Sequence, residues 1–169
     1  IHCAYDEMVD ITKLVPNPRN PNQHSDRQIE LLAKIIKHQG WRVPITVSKR
    51  SGFIVRGHGR LMAAELLGLD KVPVDYQDYA NEAEEWADLI ADNRLAELSE
   101  MDNTMLKDLI QEIDTGEIDL TLTGYDEDAL ESLLVPINID DFFREHEESS
   151  NEKEKEVKTC PHCGRPIEE

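Results

Sequence analysis

The spacing of apolar residues predicts strands and one long helix in the first part of the chain. Alternation of apolar and polar residues over 9–14 predicts a strand that ends at a proline-rich loop. Ser25 and Gln28 form a helix-capping pair, and the one-sided apolar stripe after them predicts a helix that ends at Gly40.

The next apolar runs predict a hairpin, a second helix and a further strand. Residues 44–47 and 53–55 flank a short polar turn, as the two strands of a hairpin do. A helical stripe over 61–67 stops at Gly68. Residues 72–76 then predict a strand, and Pro73 favours an edge position because proline cannot donate to a strand ladder.

From residue 80 the spacing becomes wholly helical. The first helix is predicted to place one broad apolar face inward, made of Ala83, Trp86, Ala87, Ile90, Leu95 and Leu98. Asp102 or Asn103 caps a second helix that runs to Gly116, and a third helix covers 126–134.

These elements predict an α/β (α+β) fold with a small mixed sheet, a helical extension and an acidic tail. We place the sheet domain at 1–99, the extension at 100–135, a disordered acidic linker at 136–159 and a cysteine-containing tail at 160–169.

Charge is distributed very unevenly. Residues 1–75 hold 11 basic and 8 acidic residues, a net charge of +3, whereas residues 76–169 carry −21. This asymmetry predicts a mildly basic working surface joined to an acidic region, or acids that only solvate exposed helices. Strong nonspecific DNA binding is disfavoured, because it requires many contacts from lysine and arginine to phosphate.

The chain holds three cysteines and no run of 18 apolar residues. We therefore expect no membrane span, a reducing compartment and a cytoplasmic location. Cys160 and Cys163 form a CxxC pair that supplies half of a tetrahedral Zn²⁺ site, which His162, a distant residue or a second chain would complete. The last option predicts a zinc-linked homodimer; the alternative is a reduced pair without metal.

The turn Gly57-His58-Gly59-Arg60 is the strongest chemical candidate. A helix that opens on glycines presents free backbone N–H groups and the positive end of its dipole, which suit a phosphate. Arg60 adds a forked cationic donor. The alternative is a glycine-rich turn with a solvated arginine. The loop over 16–24, held extended by prolines, offers further polar side chains to a ligand: Arg19, Asn20, Asn22, Gln23 and His24.

The order of these landmarks resembles the N-terminal domain of ParB proteins, in the ParB/sulfiredoxin superfamily. The resemblance covers roughly residues 8–99: 17–21 match its first box, 40–45 its second, and 57–60 its Gly-Glu-Arg-Arg phosphate motif. The strings GHGRLMAA and ADNRLAE are more similar to the ParB-like domains found with phage and prophage DNA methyltransferases than to chromosome-segregation proteins.

The departures narrow what the resemblance implies. His58 stands where sulfiredoxins need cysteine, so reduction of sulfinic acids is disfavoured. ParB proteins carry glutamate at the same position, so a hydrolytic role of that glutamate does not extend to this chain. Residues 100–135 contain Lys107 as their only basic residue, which does not suit the DNA-reading module that follows this domain in segregation ParB proteins.

The resemblance implies that an NTP, CTP or ATP, binds with Mg²⁺. Its residues would be Arg19 and Asn20 from the loop, Gly57 to Arg60, and Asn93 with Arg94. The last two belong to the segment 91–95, which sits where ParB proteins carry a Glu-Asn pair. Asn93 and Asp92 would hold Mg²⁺ through oxygen, while Asp92 or His58 would serve as catalytic groups. The alternative for 92–94 is a solvated helix face.

Two function classes follow. In the first, the chain is a ParB-like nucleotide-binding protein, a switch or a Mg²⁺-dependent NTPase, phosphotransferase or nuclease, acting in phage or mobile-element DNA metabolism. Its partners would then include DNA or a DNA-modifying protein such as a methyltransferase. In the second, it is a non-catalytic acidic interaction protein, a regulator or DNA mimic on a degenerate ParB fold.

Overall fold

The computed structural model describes residues 1–135. Its strands and helices alternate first and become purely helical later, as the sequence predicts. The elements are β1 (Glu7–Asp10), α1 (Asp26–Gln39), β2 (Ile45–Ser48), β3 (Ile54–Arg56), α2 (His58–Leu66), β4 (Lys71–Gln77), α3 (Glu82–Glu97), α4 (Asn103–Ile113) and α5 (Glu127–Leu134). Short 3-10 helices cover Ile11–Lys13 and Leu120–Thr123.

The sheet has four strands in the order β1-β4-β2-β3. The pairs β1–β4 and β2–β3 are antiparallel, whereas β2 and β4 run parallel because α2 makes the crossover between β3 and β4. The core combines sheet residues with α1 and α2, and its fully buried members include Ile45, Ile54, Ala63, Val72 and Val74. The predicted mixed α+β fold is confirmed.

Two predictions about strands are wrong. β1 ends at Asp10, whose side chain caps the 3-10 helix, so the apolar residues Ile11 and Leu14 continue a turn rather than a strand. Pro73 lies in an interior strand, since β4 is between β1 and β2. The Val74 carbonyl accepts from the Asp6 N–H, so the backbone groups of Val74 point toward β1 and those of Pro73 point toward β2. Pairing between β2 and β4 begins only at Ile45, opposite Val74, so the missing N–H of Pro73 falls at the start of that pairing.

The predicted apolar face of α3 is also wrong. The buried residues of this helix are Glu85 and Leu89, while Ile90, Leu95 and Leu98 are more than half exposed. The cause is a buried carboxylate: Glu85 accepts hydrogen bonds from the Ser48 and Ser51 hydroxyls at 2.6 and 2.7 Å, which turns this side of α3 toward the hairpin.

The helical extension packs on α1. Ile110, Leu122 and Leu130 are buried, and the Gln39 side-chain amide donates to the Leu122 carbonyl at 3.4 Å. Lys34 pairs with Asp119 at 2.6 Å. Asp102 caps α4, as predicted. No helix within residues 1–135 is both long enough and apolar enough to cross a membrane.

Candidate functional site

The N-terminus of α2 is built to leave backbone donors free. Gly57 adopts a left-handed conformation, with φ of 94°, that β-carbon-bearing residues rarely adopt, and it turns the chain from β3 into the helix. In the part of the chain that the structure describes, no side chain caps α2. The first-turn N–H groups and the helix dipole therefore remain available to an anion, as the sequence predicts.

Arg60 folds back over this turn. Its Nη2 would lie only 2.9 Å from a Cβ built on Gly57, so the glycine is also needed to let the guanidinium approach. The Arg60 Nε is buried and has no hydrogen-bond partner among residues 1–135. Burial lowers the pKa of Arg60, while the charge of Asp92 opposes that change. A buried cationic donor without a partner is costly, and an anionic ligand would relieve that cost.

The proline loop docks on the first turn of α2 through two histidines. The Asn17 backbone N–H donates to His58 Nε2 at 3.2 Å. A Cβ on Gly59 would meet the His24 ring at 3.2 Å, so this glycine permits the close approach of the loop. At the loop entrance, the Ile54 N–H donates to the Val15 carbonyl at 2.9 Å and fixes the chain along β3.

His58 is neutral in this arrangement. Burial, aided by the charge of His24, lowers its pKa to about 4. The Nε2 atom accepts a hydrogen bond from Asn17, so the proton of the neutral ring is assigned to Nδ1. Because the Nε2 lone pair is already used, the geometry favours a positioning role for His58; its predicted catalytic role remains a prediction.

A cleft of about 320 Å³ opens between the loop and α2. Asn17, Asn20, His24 and His58 supply its polar lining, and Leu61 and Met62 supply apolar lining. Asn17 is only 5% exposed, and its Nδ2 has no partner within residues 1–135, although its Oδ1 accepts from the Arg19 N–H at 2.9 Å. Sequence reasoning missed Asn17 as a binding residue; its position between two prolines gives no indication that it is buried.

The third predicted segment, on α3, reaches the same corner of the fold. The guanidinium carbon of Arg19 lies 4.2 Å from the centroid of the Trp86 ring, a cation–π contact between loop and helix. Asp92 lies 3.7 Å from the Arg56 Nε and acts electrostatically on Arg60. The structure thus brings Arg60 and Asp92 close together, and it places Arg19 against an earlier turn of the same helix.

Asn93 and Arg94 make local contacts instead. The Asn93 amide Nδ2 donates to the Leu89 carbonyl at 3.0 Å, and its Oδ1 accepts no hydrogen bond from residues 1–135. Arg94 pairs with Glu97 at 2.8 Å on an exposed face. Within residues 1–135, no cluster of three or more His, Cys, Asp or Glu side chains forms a metal site. Cys160 and Cys163 lie outside the described residues, so the zinc site stays a prediction.

A second polar cluster anchors α3 to the hairpin. Besides the two serines, Arg50 Nε donates to Glu85 at 3.1 Å, and the Glu85 side chain is 1% exposed. Burial pushes the pKa of Glu85 upward, but these hydrogen bonds and the Arg50 charge outweigh it, so the pKa lies below its ordinary value. Nearby, Asp88 accepts from Arg56 and from the Tyr79 hydroxyl. Sequence reasoning missed both groups.

The fold and this corner define a mixed α+β domain in which a proline-rich loop docks on the glycine-rich start of a helix. Residues 4–93 match the model of the ParB N-terminal domain family. The chain belongs to that family, so the predicted resemblance to the ParB N-terminal domain is confirmed, while the link to phage DNA methyltransferases stays a prediction.

Several known proteins are similar to this chain. The chain is 42% identical over 64 residues to the ParB-like nuclease domain-containing protein YnaK of Escherichia coli, a match that covers 38% of this chain and 72% of that protein. The crystal structure of C-terminally truncated ParB from Caulobacter crescentus, complexed with CTP-γ-S, superposes with a TM-score of 0.62 at 18% identity, over 86% of this chain and 88% of that chain. Sulfiredoxin from Arabidopsis thaliana gives a TM-score of 0.40 at 19% identity, over 50% of this chain and 94% of that chain.

Proposed function

We propose that this chain binds a nucleoside triphosphate, with its phosphates at the N-terminus of α2. The observation that carries the proposal is the buried Arg60 Nε, which has no partner within residues 1–135 and lies at a helix start that no side chain of those residues caps. Phosphate oxygens satisfy both features at once, because they accept hydrogen bonds from backbone N–H and guanidinium groups.

The adjoining cleft provides room for the rest of the nucleotide. The orphaned Asn17 Nδ2 is a second donor that a ligand would satisfy, and the loop that carries it is held to α3 by Arg19 and Trp86. The Caulobacter ParB structure contains CTP-γ-S, which makes CTP the first nucleotide to test. The likeness at 18% identity shows the fold alone.

Magnesium fits the polar side of α3. The Asp92 carboxylate is 41% exposed, and the Asn93 Oδ1 accepts no hydrogen bond from residues 1–135, so each can supply one oxygen ligand. Two protein oxygens, phosphate oxygens and water together make an ordinary Mg²⁺ coordination shell. Asp92 and Asn93 would hold Mg²⁺, which would offset the negative charge of the phosphates. Asp92 would also orient a water molecule if the nucleotide is hydrolysed.

We further propose that nucleotide binding serves DNA metabolism, by analogy with the ParB proteins of the family. Direct reading of DNA by α4 and α5 is disfavoured by charge, because Lys107 is the only basic residue over 100–135. A DNA-modifying protein is therefore the more suitable partner, and a phage or mobile-element setting with a methyltransferase remains part of the proposal.

Calorimetric titration of the full chain with CTP, ATP, GTP and UTP, with and without Mg²⁺, tests the placement. We expect Arg60→Ala to weaken binding by about 1.5 to 3 kcal/mol, because it removes charge-assisted hydrogen bonds. Arg42→Ala, at an exposed arginine outside this site, is the matched control and should bind as the parent does. Unchanged affinity in a folded Arg60→Ala protein would overturn the placement.

The second candidate, an acidic interaction protein, is favoured by contacts between the extension and α1. Asp119 pairs with Lys34 and Asp126 pairs with Arg27, so acids of the extension engage basic residues of the domain. Lack of binding by all four nucleotides, together with competition against DNA for a basic protein, would favour this candidate over the first.

A further inference from the structure

The helix α4 carries more apolar surface than the domain covers. On its inner side Ile110 is 2% exposed and packs within the extension. Elsewhere on the same helix, Met105 and Leu109 are 62% and 52% exposed. Met101, just before the helix, is 63% exposed. Residues four apart lie on one face of a helix, so Met105 and Leu109 form a stripe along α4, and Met101 is exposed in the segment just before the helix. We call these three residues the outer stripe.

Acidic side chains flank the outer stripe. Asp108 and Glu112 follow Met105 and Leu109 by three residues each, and both are exposed, so they border the stripe along the helix. Over 97–117 the chain holds seven acidic residues and one basic residue, Lys107, which is half-buried. The stripe is therefore an apolar surface in a strongly negative field.

The negative charge around the outer stripe indicates what kind of molecule could cover it. A second copy of the chain would place its own seven acidic residues and one basic residue against the same set, and like charges across an interface are unfavourable. The chain's own segment over 136–159 has a net charge of −4 and fits no better. A partner with basic residues beside its apolar ones satisfies both the stripe and its border.

We infer that the outer stripe of α4 docks a basic amphipathic helix of another protein. Such a helix presents apolar residues at i and i+4, which match the spacing of Met105 and Leu109, and it places lysine or arginine opposite Asp108 and Glu112. Two of the three stripe residues are methionine, whose unbranched, polarisable side chain adapts to different apolar partners. This surface is separate from the nucleotide cleft and does not depend on it.

The test is titration of the full chain with a synthetic helical peptide that carries leucine at i and i+4, flanked by lysine, followed by fluorescence anisotropy. We expect Met105→Ser combined with Leu109→Ser to weaken binding at least about tenfold, since both side chains lose buried contact. Asp108→Asn combined with Glu112→Gln should weaken it by less and remove most of its salt dependence. Val43→Ser, at a residue 51% exposed outside this helix, should change nothing.

Several results would overturn the inference. If a peptide with glutamate in place of lysine binds equally well, the charge argument is wrong. If the paired serine variant binds the peptide with unchanged affinity, the outer stripe is not the docking surface. Absence of binding to the full chain means that the surface is closed or unused, as when the chain's own tail covers it. Sedimentation that shows a dimer dissociated by the paired serine variant assigns the stripe to a second copy.

Discussion

Two polar clusters, one around Glu85 and one around Arg60 and the proline loop, differ in whether the protein satisfies its own buried groups. Around Glu85, both carboxylate oxygens accept hydrogen bonds, from Ser48, Ser51 and Arg50. In the second cluster, the Arg60 Nε and the Asn17 Nδ2 are buried without partners in the described chain. Removing one partner from a satisfied buried charge destabilises the fold, whereas buried donors without partners are kept at a cost and indicate a ligand.

The largest expected effect separates the clusters by stability. Glu85→Ala removes the acceptor of three side chains and leaves Ser48 and Ser51 without their partner, so we expect a loss of about 3 kcal/mol in the free energy of unfolding. Urea unfolding monitored by circular dichroism measures it.

Two controls accompany that measurement. Glu97→Ala removes an exposed partner of Arg94 and should cost less than about 0.5 kcal/mol. Arg60→Met removes an unpartnered buried donor, so the free energy of unfolding should stay level or rise. A loss as large for Arg60→Met as for Glu85→Ala would show that both clusters are structural.

The sequence predicts the cluster around Arg60, which we call the open cluster, better than the cluster around Glu85, and the reason is physical. Glycine at 57 and 59 and arginine at 60 carry local conformational and charge signals, so the turn and its donors are visible in a short string. Glu85 lies in a helix with glutamate at 82 and 84, and nothing in that run distinguishes the buried member. Its burial depends on serines 34 and 37 residues earlier in the chain.

The same limit explains the errors in strands and helix faces. Alternation over 9–14 fits a strand, but the Asp10 carboxylate accepts from the Thr12 N–H at 2.9 Å and starts a 3-10 turn. Proline favours edge strands because it has no backbone N–H, but the position of β4 in the sheet depends on tertiary contacts that the sequence of one strand does not reveal. The helix boundaries of α1 and α4 were predictable because Ser25 and Asp102 act locally as caps.

A smaller effect concerns pH and the open cluster. The pKa of His58 is about 4 in the folded chain and near 6.5 when unfolded, so the unfolded state binds more protons between these values. Its contribution to stability is complete above pH 6.5 and is lost as the pH falls toward 4. After allowance for solvent screening we expect a loss on the order of 1 kcal/mol.

Comparison of His58→Gln with the parent isolates this contribution. Glutamine keeps an acceptor for the Asn17 N–H but does not titrate, so part of the pH dependence of unfolding between pH 4 and 6.5 should disappear. His38→Gln, at an exposed position in the last turn of α1, serves as the matched control. Identical pH profiles for His58→Gln and the parent would mean that His58 is not held neutral by the fold.

The smallest expected effect on the fold tests whether the open cluster extends to α3. Asn93 uses its Nδ2 on the Leu89 carbonyl, a bond within its own helix, so Asn93→Ala should change the free energy of unfolding by less than about 0.5 kcal/mol.

If the Asn93 Oδ1 is a Mg²⁺ ligand, the variant should lose much of the magnesium-dependent part of nucleotide affinity while binding without Mg²⁺ stays unchanged. Paired calorimetric titrations with and without Mg²⁺ measure both parts. Glu97→Ala, which removes only an exposed pair with Arg94 on the same helix, is the adjacent control. Equal magnesium dependence in Asn93→Ala and the parent would return this segment to an ordinary solvated helix face and restrict the open cluster to α2 and the proline loop.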